Sequence, residues 1–70
     1  MVDTITITAK DAHSGESQSD TFGIENLTEA VKEFEENLPY RRYELHTQDF
    51  EEDYSHEVLN ELNDLEVEFV

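Results

Sequence analysis

The hydrophobic period of this chain switches repeatedly between two residues and about 3.6 residues, and that switching limits the folds open to it more than any other feature. Residues 4–9, TITITA, alternate strictly, with Ile5, Ile7 and Ala9 on one side and Thr4, Thr6 and Thr8 on the other. That is a half-buried strand with one wet face. A polar stretch around Gly15 reads as a mobile hairpin loop. Residues 21–24, TFGI, then resume with Phe22 and Ile24 two apart, a short second strand paired antiparallel to the first. From Leu27 the period changes: Leu27, Ala30, Val31, Phe34 and Leu38 make one apolar helical stripe. Asn26 and Glu29 stand as a capping box and Pro39 as the stop. Residues 40–48 alternate again, with Arg41, Tyr43, Leu45 and Thr47 on one face and Arg42, Glu44 and His46 on the other. A second helix carries Val58, Leu59, Leu62 and Leu65, capped by Asp53 or Ser55. The closing EVEFV has Val67 and Phe69 two apart and reads as a strand. The rival reading continues the helix through Leu62, Leu65 and Phe69. The order β-β-α-β-α-β predicts an α+β domain: a small antiparallel sheet of about four strands with two helices packed on one face.

Seventy residues make a single domain, 1–70. A chain this short buries only about 60% of the surface its unfolded form exposes, so its core is small. There is no Cys, hence no disulfide staple and no thiolate metal site. The start lacks the basic and apolar regions of a signal peptide, and no apolar run reaches the ~20 residues of a membrane span. The expectation is a soluble, cytoplasmic protein, in the host cell's cytoplasm if a phage encodes it.

Nineteen acids face four bases, giving −15 at pH 7, and residues 25–70 hold fifteen of those acids. High charge with few apolar residues is the signature of disorder. Here 36% of residues are apolar and the apolar positions are periodic, so a folded domain is expected. Such a surface is repelled by nucleic acid and anionic lipid, and any charged partner is expected to be cationic, a basic protein groove or metal ions.

The motifs of catalysis and metal binding fail on their spacing. HEVLN, residues 56–60, begins like the zinc motif H-E-x-x-H but ends on Asn60, so the second imidazole is missing. The loop from Asp11 has Gly15 fifth and Phe22 twelfth, where a calcium loop needs Gly sixth and Glu twelfth. No Cys nucleophile or Gly-rich phosphate loop is present, and the serines cluster in a polar loop without the support a triad needs. Arg41 and Arg42 are the only adjacent bases, which is no patch for DNA or RNA. The chain is expected to be neither an enzyme nor a direct nucleic-acid binder, with no cofactor and no metal.

The carboxylates themselves remain. Glu57, Glu61, Asp64 and Glu68 recur at four, three and four residues, one straight row if the second helix extends that far. Glu25, Glu29, Glu33 and Glu36 make a similar row on the first helix, and Glu51, Glu52 and Asp53 form a third acidic group. Each like-charged pair one turn apart costs ~0.2–0.5 kcal/mol, and only Lys32 interrupts the rows. Neighbouring charges lie ~5–6 Å apart along a helix; phosphates rise ~3.4 Å each along a strand of B-DNA, and their through-space separation along the winding strand is longer, so the rows come near it. In size and charge the chain resembles the small acidic DNA-mimic inhibitors of phages and mobile elements, of the anti-CRISPR and anti-restriction type. That resemblance implies steric and electrostatic blocking of the basic groove of a CRISPR effector or nuclease. The expected binding residues are Glu29, Glu33, Glu36, Glu51, Glu52, Asp53, Glu57, Glu61, Asp64 and Glu68. Tyr54 is expected as an aromatic anchor, with Tyr40 and Tyr43 as further ones. The alternative is a small halophilic or generally acidic interaction domain whose charge serves solubility. Thirteen Glu against six Asp, with only three Ala, fits that alternative less well.

Overall fold

The computed structural model describes residues 3–70. It contains strands β1 (Thr4–Asp11) and β2 (Ser17–Gly23), helix α1 (Leu27–Glu36) and strand β3 (Tyr43–Thr47). A 3-10 turn (Glu51–Asp53), helix α2 (His56–Asp64) and strand β4 (Val67–Phe69) follow. The element order is the one the periods predict. The four strands form one sheet in the order β2-β1-β3-β4. β1 runs antiparallel to both β2 and β3, while β3 and β4 are parallel, so the sheet is mixed and not wholly antiparallel. The reason is connectivity: α2 carries the chain back along the sheet between β3 and β4, and a helical crossover joins parallel strands.

Alternation puts Ile5, Ile7, Ala9, Phe22, Leu45, Thr47 and Val67 on the covered face. There they meet Leu27, Val31 and Phe34 of α1 and Leu62 of α2 in one core, with Tyr54 among them. The other face is wet and hydroxyl-rich. Thr6 and Thr21 approach at 3.1 Å, and Thr8 and Ser19 at 2.7 Å, between the hydroxyls of in-register neighbours. These pairs extend β2 back to Ser17, four residues earlier than the apolar pattern indicates, because an edge strand needs only Phe22 inside.

The ends of the helices also differ from expectation. Asn26 occupies the N-cap of α1, but its side chain makes no capping bond, so the capping box with Glu29 does not form. α1 stops at Glu36, short of Pro39: Pro39 disfavours helical backbone at Leu38, and the Asn37 Nδ2 takes the Glu33 carbonyl at 2.9 Å. Ser55, not Asp53, caps α2, its hydroxyl accepting from the Val58 amide at 3.4 Å. β3 begins at Tyr43, so residues 40–42 precede it. In the β1–β2 turn the Asp11 carboxylate accepts from the His13 and Ser14 amides and from the Ser14 hydroxyl, and Gly15 supplies the left-handed φ of 79°. The Ser14 hydroxyl, then the His13 amide, hold the Asp11 carboxyl below the usual carboxylate range.

Candidate functional site: an acidic helical layer

α1 and α2 touch one another on the covered side of the sheet, so their outward faces form one layer. On α1, Glu29, Glu33 and Glu36 are exposed at spacings of four and three residues. On α2, Glu57 and Asp64 are exposed and Glu61 is half-buried, again four and three apart. Glu51, Glu52 and Asp53 are exposed on the 3-10 turn that leads into α2. The α2 row ends at Asp64. Glu68 does not extend it, because α2 closes at Leu65 and Glu66 turns the chain with a φ of 62°. Glu68 instead lies on β4 in register with His46, on the wet face of the sheet. Glu25 likewise precedes α1 and stands outside its row.

The charge is unevenly divided between the layers. The two helices and the 3-10 turn hold ten acids against one base, Lys32. The four strands, of nearly the same total length, hold four acids against one base, Lys10. The helical segments therefore carry a net −9 and the strands −3. Glu29 with Glu33, Glu33 with Glu36, Glu57 with Glu61 and Glu61 with Asp64 are neighbours one turn apart, and together they cost on the order of 1–2 kcal/mol.

Tyr54 is not a surface anchor. It is only 8% exposed, its ring lies 6.2 Å from that of Phe69, and its hydroxyl is 2.9 Å from both the Thr4 carbonyl and Asp49 Oδ2. The burial follows from position: Tyr54 leaves the 3-10 turn in extended backbone and points into the gap at the end of β1 and β4. Tyr43 is half-buried, its hydroxyl donating to Glu35 Oε1 at 3.3 Å. Burial and then the Glu35 charge push its phenol up from 10.0. The aromatic side chain that does face solvent is Phe50, 70% exposed and directly ahead of Glu51–Asp53. Its signal in the sequence is that it belongs to neither hydrophobic period. Among the described residues no three His, Asp or Glu side chains converge to hold a metal ion, and no helix is long and apolar enough to cross a membrane. No protein-family model matches the chain, and neither a curated protein nor a solved structure matches it.

Proposed function

We propose that this chain is a non-enzymatic, acidic inhibitor-type interaction protein. Its helical layer docks, in the cytoplasm, into the basic groove of a nucleic-acid-binding enzyme, a nuclease or CRISPR effector, and so displaces nucleic acid without touching it. The observation that supports this reading is the division of charge: ten acids to one base on the helical segments, beside a sheet of low charge. Acids kept only for solvation would have no reason to crowd one layer, where they repel each other at a cost. Against a cationic groove the same crowding becomes favourable, through counterion release and long-range steering. Phe50 replaces Tyr54 as the aromatic anchor, since it stands exposed at the edge of the acidic turn.

The test is competition. The protein is titrated against labelled duplex DNA bound to a panel of nucleases and CRISPR effectors, at low and high salt. Displacement is expected for at least one enzyme and should weaken steeply with salt. The double variant Glu57→Lys with Glu61→Lys should lose displacement while melting at or above the wild-type temperature, because the repulsion of residue 61 by Asp64 becomes an attraction and the net charge falls by four from −15. Displacement that survives this reversal, or no displacement anywhere on the panel, overturns the reading.

A further inference from the structure

A second surface lies at the free edge of the sheet. β2 is the outer strand and, among the described residues, bonds to β1 alone. The Asp11 amide donates to the Glu16 carbonyl and the Ile24 amide to the Asp3 carbonyl, so the even-numbered residues of this segment spend their backbone groups on β1. Bonded and non-bonded pairs alternate in an antiparallel ladder. The backbone groups of Ser17, Ser19, Thr21 and Gly23 therefore point outward, at an edge of seven residues with no Pro and no Lys to blunt it. The opposite edge strand, β4, is only three residues long.

Beside the β2 edge lies an open hollow of about 370 Å³ lined by Asp20, Phe22, Ala30, Glu33, Phe34 and Asn37. Phe22 and Phe34 meet edge-to-face in its floor, centroids 5.3 Å apart. Asp20 and Glu33 are exposed. Aromatic rings beneath two carboxylates suit one kind of side chain: an aliphatic stem with a cationic tip, lysine or arginine.

We propose that β2 accepts an extended cationic strand from a partner protein, which continues the sheet and lays a Lys or Arg into the hollow between β2 and α1. Main-chain bonds supply affinity, and the hollow supplies selection. In the free molecule Asp20 Oδ1 accepts from the Thr21 amide at 2.8 Å. The incoming strand takes over that amide and frees the carboxylate for the cation. Self-pairing is opposed on charge: two β2 strands in full overlap would set one Asp20 directly against the other, between molecules each carrying −15.

This inference does not rest on the helical-layer reading. Glu33 belongs to both surfaces, and Asp20 separates the two, since it lies on β2 and not on the helices. The probe is a synthetic heptapeptide alternating threonine and lysine, titrated into the full chain at about 0.15 M salt and followed by amide NMR and hydrogen exchange. Shifts and slowed exchange are expected at Ser17, Ser19, Thr21 and Gly23. Asp20→Lys should weaken binding at least about tenfold, and N-methylation of the peptide amides that face β2 should abolish it. Glu57→Lys with Glu61→Lys should leave the β2 shifts in place. Equal binding by the N-methylated peptide, shifts confined to α1 and α2, or self-association of the chain through β2 would each overturn the proposal. Shifts confined to the helices would do so while leaving the helical-layer reading standing.

Discussion

Tyr54 sits at the end of the EED run, and its surroundings in sequence mark it as a surface residue. In the fold it closes one end of the sheet: its phenol proton is shared between the Thr4 carbonyl and the Asp49 carboxylate. Asp49 Oδ2 in turn accepts from the Thr6 amide at 3.1 Å, so one residue ties the acidic turn to β1. Tyr54→Phe keeps the ring and removes this link, and should lower unfolding free energy by about 1–3 kcal/mol, read from urea denaturation. Burial, then the hydrogen bond and charge of Asp49, raise the Tyr54 phenol well above its ordinary 10.0. The unfolded chain therefore loses this proton first. Stability should be fully held below about pH 10 and fall as pH rises beyond it, with a shallower alkaline limb in Tyr54→Phe. Local sequence does not encode this role, because Thr4 lies 50 residues away and reaches Tyr54 only when β1 and β3 lie side by side.

The passage from α2 to β4 shows how elements end. Leu65 caps the helix, the Glu66 amide bonds back to the Asn63 carbonyl, and Glu66 adopts a left-handed φ of 62°. That conformation crowds a Cβ, and glycine adopts it freely. Glu66→Gly is expected to raise stability by about 0.5–1 kcal/mol, seen as a higher urea midpoint at unchanged slope. This one residue also decides where Glu68 goes. A continuous helix would carry the carboxylate row four residues further; the turn at Glu66 moves Glu68 to the wet face of the sheet beside His46. The Val67 and Phe69 spacing already points to a strand, whereas the left-handed turn is not written in residue type, since glutamate seldom adopts it.

Across the whole molecule, repulsion within the helical layer must be outweighed by the core, to which eleven buried apolar residues among those described contribute, from all four strands, both helices and the turn ahead of α2. The chain is expected to melt cooperatively in dilute buffer. Its melting temperature should then rise with added salt as the screening length falls from about 30 Å at 0.01 M to about 3 Å at 1 M. A chain whose acids only solvated it in molar salt would be unfolded at the dilute end, and circular dichroism melts across that range separate the two. Helix and strand order, and the inward side of each element, are legible in the residues alone, because a side chain's face depends on local backbone period and its polarity is intrinsic. Sequence also dictated the acid excess and its place on the helix segments. Only the tertiary structure decided that β3 and β4 run parallel, that a polar stretch from Ser17 completes the edge, and that Tyr54 is buried while Phe50 is exposed. Each of these depends on which strands become neighbours, and that choice is made by burial summed over the whole chain, through contacts between residues far apart in sequence.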